Sequence, residues 1–535
     1  MQQVSSIDKA IATMLPLFID YAGSQGAKLM ENMLSIGQRL VTGLQGSVLD
    51  DAFIELIRTY KIANVTLLPR NIIDKHQVKA LCKAINDLIL QETGKEAFIT
   101  IEEEGGMATL LSPDTTHLPG AMPIGATADQ GNAYTAGRIS GTELRALGIH
   151  CTLAPTLDIN NNRENPIIGV RSYSDNPDVV ANFGTAMIRG LSDAKVVSVG
   201  KHFPGHGDTE VDSHLGLPVI SKGIEDLENN ELIPFIAAIE AGIPAIMITH
   251  ILYPEVEAQP IPATMSRTIV TDLLRNSLAF DGVVFSDCLE MSAIKDHQAI
   301  PHVAVEALHA GVDLITISHT YSLVAEAAQA IAESLANGYI NYDEHTAAVD
   351  RILTMKSTIE GAEEHAIEIV GSPDHRAVAK AIMERAICVG NKPEKDLPAL
   401  GAHPVFFGYH PPQAETAVFP EWMAFYIGGR AIIIPEDPSS SEIVELVQEI
   451  PDATALVIGT YNGHLLRGQL ALCNALAGTG LPTIVVALRD PYDLVYLAEN
   501  IHSFAAFEYS TVAFEAIRTI LTQERTATGI LPVHW

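Results

Sequence analysis

The sequence predicts an α/β protein: a (β/α)8 TIM-like barrel followed by a smaller α/β three-layer sandwich. Two observations predict the barrel. Roughly eight short apolar runs alternate with helical stretches over about 290 residues, and ionisable side chains recur just after those runs. A second series of apolar runs beyond residue 375 predicts the sandwich.

The barrel runs read RLVTGL, NVTLLP, FITIEEE, HCTLAP, VVSVGKHF, AIMITHI, VVFSD and LITIS. Each is rich in β-branched residues and closed by polar, Gly or Pro residues, as strands buried on both faces are. An open doubly wound sheet is the alternative. Two helical stretches, EAAQAIAESLANG and DEHTAAVDRILTMKSTIEG, follow the last run. The second series reads AICVG, PVFFGY, AFYIGG, TALVIGTY, TIVVAL and SFAAFEY, with SSEIVELVQEI as an intervening helix. The expected division is a barrel with an N-terminal extension over 1–365, a linker over 366–380 and a C-terminal domain over 381–535.

With 535 residues the chain is long enough for two or three domains. Lys plus Arg number 33 against 65 Asp plus Glu, a net charge of −32. Such a surface repels phosphate backbones and anionic headgroups, so nucleic acid and membrane are not expected partners. A neutral sugar polymer is compatible with it. The five cysteines are scattered and unpaired in spacing, against both a disulfide framework and a zinc ribbon. No run of about 18 apolar residues spans a membrane. The N-terminus lacks the pattern of a secretory leader, so the expected location is the cytoplasm; a secreted form with its leader removed reads the same.

In a barrel, chemistry sits just past the strands. Glu102, Glu103 and Glu104 close the third run, Asp158 follows the fourth, Lys201 and His202 the fifth, His250 the sixth and Asp287 the seventh. Burying ionisable groups at one end of apolar strands is costly without a purpose. The densest stretch is KHFPGHGDTEVDSHLGLP, residues 201–218, a polar loop over the barrel mouth in which Gly205 and Gly207 permit unusual backbone angles. Asp212 and His214 are two apart, on one face of an extended segment. An Asp bonded to an imidazole fixes its tautomer and raises its basicity, which suits a general acid/base. A solvated loop histidine beside a turn-capping Asp fits the same spacing. His202, His206, Asp208 and His214 also offer nitrogen and oxygen donors to a metal, so a zinc hydrolase is a rival reading. Lys201 and His202 are candidate partners that keep Asp287 ionised.

These stretches resemble glycoside hydrolase family 3, in its β-N-acetylglucosaminidase branch and two-domain form. KHFPGHG followed by DTEVDSH carries the likeness. IGQRLVTGLQG, LLPRNI, GTELRALGIHCTLAPTLDINNN, NPIIGVRSYSDNP, ITHILYPEVE and DGVVFSDCLEMSAI support it in family order, and GTYNGHLLRGQ and VVALRDPYDL extend it into the C-terminal region. The resemblance implies an exo-acting, retaining β-N-acetylglucosaminidase on chitin- or peptidoglycan-derived fragments, with no cofactor and no metal. Asp287 matches the nucleophile, His214 the acid/base and Asp212 its partner. Glu102, Arg171, Lys201, His202, His206 and Met291 match positions that contact the sugar. A β-glucosidase or a phosphorylase on the same fold, a zinc hydrolase and an inactive sugar-binding protein are the alternatives. An oligomer is compatible with the sequence. One region departs from the family pattern: IEEEGGMATLL places Glu102 where an Asp is usual and Leu110 where an Arg is often found, which removes a bidentate donor.

Overall fold

The computed structural model describes residues 32–210, 212, 216–361, 365–390, 396–412 and 417–534. Eight parallel strands close into a barrel in chain order. They are β1 (Leu40–Gly43), β2 (Asn64–Leu67), β3 (Phe98–Ile101), β4 (Cys151–Thr152), β5 (Val197–Phe203), β6 (Ala245–Ile248), β7 (Val283–Cys288) and β8 (Leu314–Ile317). Closure is made by β8, which pairs with β1 through Leu40 opposite Ile315. Each sequence-predicted barrel run contains one of these strands. Most of their residues are buried, because the interior fills one face and the helical ring covers the other.

Phe98, Val199, Met247 and Phe285 fill the barrel interior. At its N-terminal end the interior is sealed by Ile352 and Met355 of the helix Tyr342–Ser357, with Ile359 just beyond. Beside them lies a buried ionic cluster. Asp313, fully buried, accepts from Arg275 Nη2 at 2.5 Å, Arg351 Nη2 at 2.8 Å and the Val284 N–H at 2.8 Å. Arg39 donates to the Asp313 carbonyl at 2.9 Å, and burial lowers its pKa to about 10. One end of the barrel is therefore closed by packing and charge pairing, and the other end carries the loops.

The second sheet has six strands in the order β11-β10-β12-β13-β14-β9. They are β9 (Cys388–Val389), β10 (Pro404–Gly408), β11 (Arg430–Ile433), β12 (Ala455–Thr460), β13 (Thr483–Ala487) and β14 (His502–Ala505), with only β9 antiparallel. One expected strand is a helix. AFYIGG ends the helix Phe419–Ile427, which begins with Pro420 in its first turn, buries Phe419 and Met423 four apart, and stops at Gly428 with φ +90°. The strand that follows, Arg430–Ile433, was hidden because its side chains are half-buried or exposed rather than core.

The segment 366–380, expected as a linker, holds most of a helix, Pro373–Ala386, whose Ala379, Ile382, Met383 and Ala386 are buried. His375 Nδ1 lies 2.7 Å from Glu143 of the barrel, and that carboxylate also accepts the Thr116 and Gly371 N–H groups. The second core takes in Met122, Ala126 and Val170 from barrel loops. No helix among the described residues is long and apolar enough to cross a membrane.

Removing one partner from a buried charge cluster strands the others. Replacing Asp313 with Ala is expected to lower the unfolding free energy by about 3–5 kcal/mol, read as a shifted urea midpoint. A change below about 1 kcal/mol would show that Arg39, Arg275 and Arg351 find other partners.

Candidate active site

The C-terminal ends of the barrel strands surround a cavity of about 270 Å³, lined by Glu102, Leu110, Ile167, Arg171, Lys201, His202, His206 and Asp287 among others. A second lobe of about 280 Å³ shares Glu102, Leu153, Met247 and Asp287 with it and extends to Met291, Lys295 and His319. All six residues assigned to sugar contact therefore border this mouth, together with Asp287. Asp212 is on the loop after β5, where its carbonyl accepts the Gly216 N–H at 3.0 Å, and it lines neither lobe. His214 lies outside the described residues.

Three successive acids close β3, and alternation along the strand separates their roles. Glu102 lines the mouth, and the Glu104 side chain is buried beneath it against Arg171 and Lys201. Lys201 Nζ donates to Glu102 at 2.6 Å and to Glu104 at 2.7 Å. Arg171 donates to both oxygens of Glu104, at 2.7 and 3.0 Å, and lies 3.5 Å from Glu102. Burial pushes the Glu104 carboxyl up, but the Arg171 and Lys201 charges outweigh it and hold the group far below its usual range. Lys201, only 1% exposed, is held above its usual range by the same acids against its burial. Glu103 points away; Thr109 Oγ1 and the Leu110 N–H donate to it at 2.6 and 2.9 Å, and burial raises its pKa. The Glu102 side chain is 46% exposed, so its free edge faces incoming ligand. Leu110 makes that wall of the cavity apolar.

Asp287 ends the apolar stretch of β7 and accepts the Cys288 N–H at 2.7 Å. Burial raises its pKa, yet His250, His202 and Lys201 together hold it below the ordinary carboxylate range. The expected partners, Lys201 and His202, thus contribute, and His250 contributes more than either. Its Nε2 donates to the Cys288 carbonyl at 3.1 Å, and its Nδ1 is 2.6 Å from Thr264 Oγ1.

Asp158, fully buried after β4, organises the start of the 201–218 loop. It lies 2.7 Å from His202 Nδ1 and accepts the His206 N–H at 2.7 Å. Asp158 and Glu104 are the organising residues that sequence reasoning placed at strand ends without giving them a role; their partners come from strands 40 to 100 residues away. Burial, aided by His202, lowers the His206 pKa to about 4. Its Nδ1 is 2.9 Å from Thr209 Oγ1. Among the described residues no group of three or more His, Cys, Asp or Glu is arranged to hold a metal ion.

The two loop glycines serve different needs. Gly205 has φ +140°, which L side chains rarely adopt. Gly207 passes so close to the backbone that a Cβ there would lie 1.7 Å from the Ile159 carbonyl oxygen. Asn165 Nδ2 donates to the His206 and Gly207 carbonyls at 2.9 Å, and Lys222 bridges Asp208 at 2.7 Å and Glu231 at 2.6 Å. The loop is thus fixed at both ends.

A barrel with an ionised carboxylate at one strand end, inside a small cavity rimmed by hydrogen-bonding groups, fits a glycoside hydrolase. The chain belongs to glycosyl hydrolase family 3: the model of that family's N-terminal domain matches residues 33–355. It is 34% identical over 358 residues to Beta-hexosaminidase A of Pseudoalteromonas piscicida, covering 62% of this chain and 60% of that protein. A structure of a family 3 beta-N-acetylglucosaminidase from Paenibacillus sp. str. FPU-7 is 33% identical, covers 94% of this chain and 98% of its own, and superposes with a TM-score of 0.87. NagZ from Neisseria gonorrhoeae, solved with N-trifluoroacetyl-D-glucosamine, is 28% identical over 64% of this chain and 96% of its own, with a TM-score of 0.55.

A carboxyl whose pKa is depressed by folding stabilises the native state above its unfolded pKa, and that contribution fades as pH falls toward the folded value. Glu104→Gln is therefore expected to be less stable than the parent at pH 7, with the gap closing on acidification below about pH 4.5. Urea midpoints measured across pH 7 to 3 check this; a pH-independent gap would contradict the sign.

Proposed function

We propose that this chain is a retaining exo-β-N-acetylglucosaminidase that releases terminal N-acetylglucosamine from chitin- or peptidoglycan-derived oligosaccharides. The observation that carries this reading is Asp287, a half-buried carboxylate lining a small cavity and held below the ordinary carboxylate range, against its desolvation, by His250, His202, the Cys288 N–H and Lys201. At about 270 Å³ that cavity lies near the lower end of small-molecule sites, which run from about 300 to 1,000 Å³. A lobe of this order suits one terminal sugar ring, and the adjoining lobe of about 280 Å³ that shares Asp287 leaves room for the neighbouring group. The similarity to proteins named as hexosaminidases, and to a NagZ holding a glucosamine derivative, supports the amino-sugar preference.

In the proposed reaction the Asp287 carboxylate attacks the anomeric carbon as the glycosidic C–O bond breaks, and His214 gives its proton to the departing oxygen. Water then attacks the glycosyl ester, His214 takes a proton from it, and Asp287 leaves as carboxylate. Asp212 holds the imidazole in the tautomer that can exchange this proton. A histidine in place of the usual second carboxylate lets the acid be neutral or cationic beside an anionic nucleophile. Glu102, Lys201 and Arg171 bind hydroxyl groups, with Glu104 keeping the two cations in place. The apolar Leu110 wall gives less grip on the far end of the ring than an Arg would.

The expected outcome is hydrolysis of nitrophenyl β-N-acetylglucosaminide and little or none of the β-glucoside. Preference for the glucoside, or turnover only with added phosphate, would turn the reading to a β-glucosidase or a phosphorylase. Asp287→Asn is expected to lower kcat by about 10³-fold or more. His214→Ala is expected to cost about 10²-fold or more on a sugar leaving group and far less on nitrophenol, which needs little protonation. Equal losses on both leaving groups would remove His214 from the acid/base role.

A further inference from the structure

The second domain has its own unassigned polar edge. Its five parallel strands lie in the order β11-β10-β12-β13-β14, so the chain winds outward from β10 to β11 and then crosses back to β12 on the other side of β10. In open parallel sheets, ligands settle outside the carboxyl ends of the strands where the winding reverses. Here that place is the junction of β10 and β12. Tyr409 and His410 follow β10, Tyr461 and Asn462 follow β12, and Arg489 and Asp490 follow β13. The last four belong to the GTYNGHLLRGQ and VVALRDPYDL stretches, which the barrel chemistry leaves unused.

Side-chain satisfaction singles out the same place. Six buried polar atoms of the second domain have no hydrogen-bond partner among the described residues: His410 Nδ1, Thr460 Oγ1, Asn462 Oδ1, Arg489 Nε, Asp490 Oδ1 and Asp493 Oδ2. All six lie at this edge, and none of the domain's other described residues carries such an atom. A buried polar atom left unpaired is costly, and a cluster of them marks a place where a ligand supplies the missing partners. Thr460, Asp490 and Asp493 are buried, whereas Tyr409, His410, Asn462 and Arg489 are half-buried at the rim. Arg489 donates to the Tyr461 hydroxyl at 2.9 Å and lies over its ring at 5.3 Å, and the Tyr409 and Tyr461 rings meet edge to face at 6.3 Å. Fixed donors and acceptors of both kinds beside aromatic rings suit a polyhydroxylated ring, which presents hydroxyls at its edge and C–H groups on its faces.

This edge also contacts the barrel segment that leads to the catalytic cavity. Asp490 lies so close to Gly169 that a Cβ there would be 2.5 Å from its Oδ1, and the Val170 N–H donates to the same carboxylate. His464 Nε2 donates to the Arg163 carbonyl at 3.2 Å, and Asn160 Nδ2 donates to the Tyr492 hydroxyl at 3.1 Å. One segment, 160–171, thus meets Tyr492, His464 and Asp490 of the second domain and delivers Ile167 and Arg171 to the catalytic cavity.

We propose that the carboxyl edge of β10, β12 and β13 is a second sugar-binding site, in which Asn462, Arg489 and Asp490 bond ring hydroxyls and the half-buried Tyr409, backed by the buried Tyr461, supplies the stacking surface. Its ligand is a pyranose unit, either the leaving-group part of the saccharide whose end sits in the barrel or a free sugar. The first source rests on the glycosidase reading above; the second does not.

The test uses the full chain with Arg489→Ala and, separately, Asn462→Ala, a rim substitution that keeps the domain's core intact. For each, kcat/KM is measured on chitotriose and on nitrophenyl β-N-acetylglucosaminide. Binding stoichiometry of N-acetylglucosamine and chitobiose to the Asp287→Asn protein is measured by calorimetry. A leaving-group site shows as a loss about tenfold larger on chitotriose than on the nitrophenyl substrate. A free-sugar site shows as an unchanged substrate ratio with one fewer N-acetylglucosamine bound per chain. A substrate ratio within about twofold of the parent's, with unchanged stoichiometry in both variants, would overturn the proposal. Failure of the glycosidase reading is separable: it shows as no turnover by the unaltered chain, whereas the stoichiometry needs none.

Discussion

The buried charge set of Glu104, Lys201 and Arg171, with Glu102 at its exposed edge, is the interaction on which the rest of the site depends. It joins the end of β3, the end of β5 and the turn at Gly169–Arg171. Ions taken out of water need close, complementary partners, and here each has them at hydrogen-bond distance. Because Glu104 uses both oxygens on Arg171 and a further contact on Lys201, it fixes the two cations in orientation as well as in charge. Glu102 is then the group left to meet solvent or ligand. Lys201 of this set also helps hold Asp287 as a carboxylate, so the network that shapes the mouth contributes to the protonation of the group proposed to react.

The second domain acts on that network from behind. Asp490 and His464 hold the backbone that leads to Arg171. Glu508, buried in the second domain, accepts the Gly120 N–H at 3.1 Å and lies 3.2 Å from His117 Nε2, bracing the loop that follows the three glutamates. A Cβ on Gly106 would lie 2.8 Å from the same carboxylate, so the chain approaches there as closely as a backbone without a side chain permits. The two segments carrying most of the charge network are therefore each supported by a carboxylate from outside the barrel. Placing catalytic groups on loops over a rigid scaffold requires such supports if geometry is to be kept.

The loop after β5 follows a different logic. Its start is locked by Asp158 and Asn165 and its far side by Lys222, while Asp212 stands between these anchors. A proton donor that serves first as acid and then as base must approach and leave the anomeric oxygen. In the proposed mechanism the span between these anchors carries the proton donor.

The sequence by itself determined the architecture and the address of the chemistry. Strands buried on both faces read as short apolar runs whatever their neighbours, and a barrel confines chemistry to their C-terminal ends, so Asp287, Lys201, His202 and Glu102 were legible from position alone. The KHFPGHG stretch and its continuation gave the family for the same local reason: a tight polar loop with two special glycines tolerates few sequences. The tertiary structure alone decided the partnerships. Which of three adjacent glutamates would carry the charge network depends on the direction each faces and on cations brought from 67 and 97 residues away. His250 as the nearer influence on Asp287 depends on the neighbour relation of β6 and β7. AFYIGG was read as a strand because aromatic and β-branched residues favour both states in a short run; the proline start, the four-residue spacing of Phe419 and Met423, and the glycine stop made it a helix. The unpaired polar edge of the second domain is visible only in three dimensions, since its residues come from three loops and its meaning lies in the partners they lack.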